Sequence, residues 1–271
     1  MSAFNSISPA ALFRLIGTPD APAVIDVRTD ADFEAHAGLI PTARRWPHRE
    51  VASCADALRG RQVVVVCHGG LKLSHGAAAV LRGHGLLAIV LEGGTEAWRA
   101  AALPLVPTAA IGPGWTGGPT RWVTRHRPKI DRIACPWLIR RFVDPAAEVL
   151  FVPPAEVDGV AERFEATPFD TPDAPWTHVG DRCTFDAMVE GFGLACPALD
   201  TMADVIRAAD TGRCDTVAEA AGLLALSVGL SRACKDDLAQ LDAGMILYDA
   251  LFRWARDGAG ETHGWPGKHH P

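Results

Sequence analysis

The residues best suited to chemistry sit together at positions 67 to 72, where Cys67 is followed by His68, Gly69, Gly70, Leu71 and Lys72. The cysteine closes a β-branched run over residues 62–67, and a helical pattern starts around Lys72 to Ser74. In an α/β sheet, ligands bind at the carboxyl ends of strands, and a helix N-terminus offers unpaired amides with a partial positive charge. Two glycines let the backbone curl so that successive N–H groups point inward. Amides around a sulfur stabilise its thiolate, the nucleophilic form, and the same ring would hold a persulfide sulfur or an oxyanion. The competing reading is an inert strand cysteine, because cysteine is among the most buried residue types. His68 and His75 read either as groups that tune the loop or as solvated histidines.

A second set of candidates lies downstream. Arg121, Arg125, Arg127, Lys129, Arg132, Arg140 and Arg141 fall within 21 residues, opposed only by Asp131. Ile133, Trp137, Ile139 and Phe142 suit the buried face of a helix in the same segment. Further on, His178, Cys183, Asp186, Asp204 and Asp210 are of the kinds that bind zinc, iron or manganese. Their spacing matches no recognised metal motif, and structural roles compete, with Thr184 as an N-cap and Asp186 in the first helical turn.

The surrounding elements must hold these groups. Ser8 followed by Pro9 starts a helix that ends near Gly17, a β run covers residues 23–27, a helix starts at Asp30, and another strand covers 87–91. This alternation predicts a parallel sheet with helices on both faces. The second part reads as mainly helical α+β, with helices over 131–142, 155–165, 184–192, 197–213, 217–230 and 235–256 and one strand over 148–152. Leu241, Met245, Tyr248, Leu251 and Phe252 recur at helical spacing, which suits core packing or a homo-oligomer. The Pro- and Gly-rich stretch 109–119 reads as a linker, dividing a first domain, 1–108, from a second, 120–257, with a flexible tail over 258–271.

Bulk properties agree with two globular domains: 271 residues, 48% hydrophobic and 21% charged. A net charge of −6 argues against general nucleic-acid binding. No apolar run reaches the roughly 18 residues needed to span a bilayer. The N-terminus lacks a basic flank and a cleavage site, so a cytoplasmic location with no membrane partner is expected. Seven scattered cysteines, an odd number, argue against a disulfide framework.

Over about residues 5 to 105 the chain resembles the single rhodanese domain. Ile25-Asp26-Val27-Arg28 is similar to its first signature and Leu91-Glu92-Gly93-Gly94-Thr95-Glu96-Ala97-Trp98 to its last. By that resemblance Cys67 is the sulfur-accepting nucleophile, His68 to Lys72 complete the six-position loop, and Asp26 with Arg28 is a structural pair. The family's Gly-His-Ile-Pro-Gly-Ala stretch departs here to Ala37-Gly38-Leu39-Ile40-Pro41-Thr42-Ala43. Rhodanese-fold phosphatases and arsenate reductases have a loop one residue longer that ends in an arginine. Lys72 followed by Leu73 disfavours those activities.

Residues 120 to 256 resemble the C-terminal domain of ChrB-type chromate-resistance proteins. The resemblance runs from the Arg-rich segment through Trp176-Thr177-His178-Val179-Gly180-Asp181 to Asp210-Thr211-Gly212-Arg213 and Gly229-Leu230-Ser231. It implies a role in chromate resistance or its regulation. The regulatory members resemble DNA binders through a different N-terminal region, which the rhodanese-like part replaces here. Chromate is a tetrahedral dianion, so Arg132, Cys135, Arg140 and Arg141 are candidates for an oxyanion site with a thiol beside it. The alternative is a solvated cationic face with Cys135 in the core.

The expected function is that of a cytoplasmic sulfurtransferase working through a Cys67 persulfide, with a small-molecule sulfur donor and a thiophilic acceptor. Sulfur transfer requires no cofactor, while the C-terminal domain is a candidate for a metal ion. The alternatives are an oxyanion sensor that binds chromate and a thiol- or metal-dependent chromate reductase. For the reductase, no dinucleotide or flavin fingerprint is visible.

Overall fold

The computed structural model describes residues 5–112, 115 and 118–261. β1 (Ser6–Ile7) leads into α1 (Pro9–Leu15), whose N-cap Ser8 accepts the Ala11 N–H while Pro9 fills the first turn. There follow β2 (Ala23–Asp26), α2 (Asp30–Ala35), β3 (Arg44–Arg45), β4 (Gln62–Val66), α3 (Lys72–Gly83), β5 (Leu87–Leu91) and α4 (Gly94–Ala100). The strands form one parallel sheet in the order β1-β5-β4-β2-β3. In the centre, Val65 pairs with Ile25 on one side and Val90 on the other. A strand covered on both faces needs no polar side, which is why β4 is an unbroken run of valines after Gln62.

Alternate residues of that strand enter different cores. Val63, Val65 and Cys67 pack with Ala77, Ala78 and Leu81 of α3 and with Val51, Cys54 and Leu58. Val64 and Val66 cluster with Leu12 of α1, Ile16 just beyond it and Trp98 of α4. Helices cover both faces, as the alternation predicts.

The second half contains α5 (Thr108–Ile111), β6 (Arg121–Arg125), α6 (Asp131–Leu138), β7 (Glu148–Val152), α7 (Val157–Phe164), β8 (Thr167–Pro168), α8 (Thr184–Gly191), α9 (Pro197–Asp210), α10 (Ala220–Ala233) and α11 (Asp237–Arg253). It is mainly helical, around a small parallel sheet ordered β7-β6-β8. Two strands here were not expected from the sequence. The first part of the basic segment is the central strand β6, with Trp122, Val123 and Thr124 buried and an arginine at each end. The helix expected over 131–142 ends earlier, at Leu138, and runs into a π-helical turn, Ile139–Val143. Pro136 inside α6 has no N–H to donate, which weakens the regular ladder just before that turn.

The core on the α1 and α4 side continues into the second half. Leu12, Ile16, Leu39, Ile40 and Val106 share one cluster with Trp137, Phe142 and Phe252. Gly17 has a positive φ, and a Cβ there would lie 2.4 Å from the Phe142 ring, so only glycine lets the halves approach. The Thr42 N–H donates to the Phe142 carbonyl at 2.9 Å. Within the stretch read as a linker, α5 is helical and buries Ile111. Of the expected tail, residues 262–271 lie outside the described residues. Among the described residues no helix is long and apolar enough to cross a membrane.

Asp144 ties the halves together by hydrogen bonds. Its Oδ1 accepts from Arg44 at 2.9 Å and from the Ala146 N–H at 3.0 Å, and its Oδ2 accepts from the Thr120 N–H at 2.6 Å and the Thr120 hydroxyl at 2.9 Å. Asp144→Ala strands the buried Thr120 donors and is expected to cost about 2–4 kcal/mol. Urea denaturation followed by tryptophan fluorescence checks this. An unchanged midpoint would mean that water satisfies those groups.

Candidate functional site

Cys67 lies directly beyond β4 and is 4% exposed. Its thiol donates to Ser74 Oγ at 3.2 Å, and the Ser74 hydroxyl donates to the Leu71 carbonyl at 3.0 Å, which anchors the sulfur to the first turn of α3. Among the described residues, the amides of His68, Gly69, Gly70 and Leu71 donate to no protein acceptor. They remain available to a negative charge held at the loop, beside the N-terminus of α3. Leu71 is 69% exposed and Lys72 is exposed beside it, so the loop has an apolar and a cationic rim. His68 Nε2 lies 3.3 Å from Glu96, and His36 stacks on its ring.

The loop keeps its shape because α4 is pressed against it. The Thr95 and Glu96 amides donate to the Cys67 and His68 carbonyls at 3.0 and 3.1 Å. Gly94, at φ +59°, sits so close that a Cβ would lie 2.2 Å from the Cys67 carbonyl oxygen and 2.4 Å from the Gly70 nitrogen. Gly94→Ala is therefore expected to push the loop open and expose the buried Cys67 thiol. It also introduces roughly 1–2 kcal/mol of backbone strain. The rate of Cys67 alkylation beside a thermal melt checks this, and an alkylation rate and melting temperature equal to those of the unaltered chain would contradict it.

Asp26 and Arg28 form a buried pair behind the loop. The Arg28 guanidinium donates to both Asp26 oxygens, the shortest contact being 2.5 Å, and to the His36 and Gly38 carbonyls at 3.1 and 2.7 Å. The Val27 N–H donates to the Val66 carbonyl, so this pair steadies the strand end that carries Cys67.

The proposed oxyanion set does not converge, and the expectation of one Arg–thiol pocket is corrected. Arg132 donates to the His126 carbonyl and pairs with Asp170 at 3.2 Å. Arg140 donates to the Ala147 carbonyl and lies 3.9 Å from Asp242. Arg141 makes a two-pronged pair with Asp249 at 2.7 and 2.8 Å. Cys135 is fully buried, and burial together with the Asp131 charge pushes its thiol well up. These cations are spent on carboxylates and carbonyls.

The metal-type residues divide. Asp186 and Asp204 both pair with Arg207, and Asp186 also accepts the Cys183 N–H at the start of α8. Cys183 is buried, and burial raises its thiol strongly. His178 and Asp210 instead meet two residues that sequence reasoning did not select. His178 Nε2 lies 3.3 Å from Asp210 Oδ2, 3.4 Å from Asp131 Oδ2 and 3.6 Å from Asp170 Oδ1. The backbone bends sharply to present them, with φ +40° at Ile130, just before Asp131, and +52° at Asp170. Hydrogen bonding to Asp131 raises the His178 imidazole above its usual range, against the effect of burial. Burial, then the Asp131 and Asp170 charges, pushes Asp210 up to about 6. The signals were the lone acid in the Arg-rich segment and the Phe169-Asp170-Thr171-Pro172 turn.

Comparison with known proteins places these two regions. Residues 8–101 match the model of the rhodanese-like domain, and residues 122–255 match that of the ChrB C-terminal domain. Protein ChrB of Cupriavidus metallidurans is 36% identical over 133 residues, which cover 49% of this chain and 40% of that protein. The chain thus spans well under half the length of that relative. Among solved structures, a rhodanese-related protein from Thermoplasma volcanium is 30% identical, with 38% of this chain and 98% of that one covered and a TM-score of 0.33. A thiosulfate sulfurtransferase from Pseudomonas aeruginosa is 28% identical, with 38% and 19% covered and a TM-score of 0.34.

Proposed function

From a chain that carries a rhodanese-like domain at residues 8–101 and a ChrB C-terminal domain at residues 122–255, we infer a sulfurtransferase that works through a Cys67 persulfide and is linked to chromate resistance. The observation that carries this reading is the Cys67 loop, in which a strand-end thiol is followed by four amides that, among the described residues, have no protein acceptor, and then by the start of α3. The Cys67 thiolate attacks the outer sulfur of a donor such as thiosulfate. A bond forms between Sγ and that sulfur, the donor S–S bond breaks, and sulfite leaves with its electron pair. An acceptor thiolate or cyanide then attacks the terminal sulfur, and the Cys67 thiolate is released.

The loop amides stabilise the negative sulfur both before and after the first step. The low exposure of Cys67 favours small donors and acceptors, and Lys72 at the rim attracts anions. The link to chromate resistance rests on the resemblance of the second half to ChrB C-terminal domains. The oxyanion-sensor reading loses support because Arg132 and Arg141 are already paired with carboxylates. The thiol-dependent form of the reductase reading loses support because Cys135 and Cys183 are buried with their thiols held protonated.

A thiosulfate-to-cyanide transfer assay on the full chain tests the proposal. Catalytic formation of thiocyanate is the expected result. Its absence with thiosulfate, and with polysulfide and persulfide donors, would overturn it.

A further inference from the structure

We propose that Asp131, Asp170, His178 and Asp210 form a binding site for one divalent transition-metal cation in the second half of the chain. The four residues come from separate places: the first turn of α6, the loop after β8, the loop before α8 and the last residue of α9. Asp131, Asp170 and His178 each offer a ligand atom within 4.8 Å of the others. The three carboxylate oxygens lie 3.3, 3.4 and 3.6 Å from His178 Nε2. Two ligands held about 2.1 Å from one ion are themselves about 3–3.5 Å apart, so the cluster is already close to metal-binding size.

A second observation points to a missing ligand. Asp131 is 1% exposed, its Oδ2 accepts the Thr184 N–H at 2.6 Å, and its Oδ1 is buried without any hydrogen-bond partner. A buried carboxylate with one oxygen lacking any donor is strongly unfavourable, and a cation bound to that carboxylate through Oδ2, the oxygen that faces His178, would neutralise its charge. The charges agree with this. Asp170 turns Oδ2 to Arg125 and Arg132, while its Oδ1, which accepts the Thr184 hydroxyl at 3.2 Å, is the oxygen near His178. Among the described residues, Asp131 and Asp210 make no ion pair with a guanidinium, so together they supply the two negative charges that a dication balances.

The donor set also selects the ion. Magnesium and calcium prefer all-oxygen shells, whereas one imidazole with three carboxylates suits manganese, iron or zinc. His178 has a side chain 40% exposed, so the ion can arrive from solvent and keep a position for water or a small anion.

The test is to strip the full chain with chelator, then titrate it with Mn²⁺ followed by electron paramagnetic resonance and with Zn²⁺ followed by calorimetry. One equivalent per chain is expected. His178→Ala and Asp131→Asn should each weaken binding at least about tenfold. Both variants should fold, since His178 is at the surface and asparagine can still accept the Thr184 N–H; circular dichroism checks this. Asp204→Asn, which removes only a partner of Arg207, should leave binding unchanged, and so should Cys67→Ser, so this proposal and the sulfur-transfer reading can fail separately. The absence of saturable stoichiometric binding by either ion, or binding that survives both His178→Ala and Asp131→Asn, would overturn the proposal.

Discussion

Cys67→Ser is expected to abolish sulfur transfer, lowering turnover by about 10³-fold or more. The serine hydroxyl is nearly the same shape as the thiol and keeps a hydrogen-bonding partner in Ser74, so the loop and the fold should survive. What is lost is the thiolate. A serine hydroxyl is not ionised at neutral pH, and the group that position 67 meets is the Ser74 hydroxyl, which is not a base. The measurement is single-turnover release of sulfite from thiosulfate, with circular dichroism to show that the variant is folded. Transfer at the wild-type rate would move the nucleophile elsewhere in the chain.

Arg28→Ala is expected to have the largest effect on stability, about 3–5 kcal/mol, because it leaves the Asp26 carboxylate buried without its cation. The two side chains are 1% and 2% exposed, and the Arg28 guanidinium also satisfies the His36 and Gly38 carbonyls. Solvent screening therefore does little to soften the loss. The double variant Asp26→Leu with Arg28→Met removes both charges and fills the space, so it should be less destabilised than Arg28→Ala alone. Urea denaturation of the three proteins separates a costly unpaired charge from a general packing defect. Equal destabilisation of the single and double variants would contradict the charge argument. Because the Val27 N–H holds the end of β4, the single variant should also lose transfer activity before it unfolds globally.

The first half was legible because its signals are local. A run of valines, a cysteine, two glycines and a helix start are consecutive in the chain, and the fold leaves them consecutive in space. The central place of β4 in a parallel sheet follows from the same run. The second half was legible as a set of helices, but of its clustered His178, Asp210, Asp131 and Asp170 only the first two stand out in the sequence. Asp131, Asp170, His178 and Asp210 are brought together by the packing of α6, α8 and α9, and no short spacing records that packing.

Cation counting also hid the strand β6. Arg121 and Arg125 drew attention to charge, while Trp122, Val123 and Thr124 between them carry the β pattern. The supposed oxyanion set failed for a related reason. Arg132, Arg140 and Arg141 are close in sequence, but α6 and the π turn after it direct them to different carboxylates. The division at residues 109–119 agrees with the two matched regions, 8–101 and 122–255, but the contact between the halves is not legible in the sequence. The shared core of Leu12, Ile16 and Phe142 depends on contacts across more than a hundred residues, which composition cannot reveal.

The central claim is that Cys67 carries sulfur, and peptide mass spectrometry after brief exposure to thiosulfate tests it most directly. The account predicts that, of the seven cysteines, Cys67 alone gains a single sulfur atom, and that cyanide removes it again. No added sulfur on Cys67, or sulfur gained on another cysteine in its place, would contradict it.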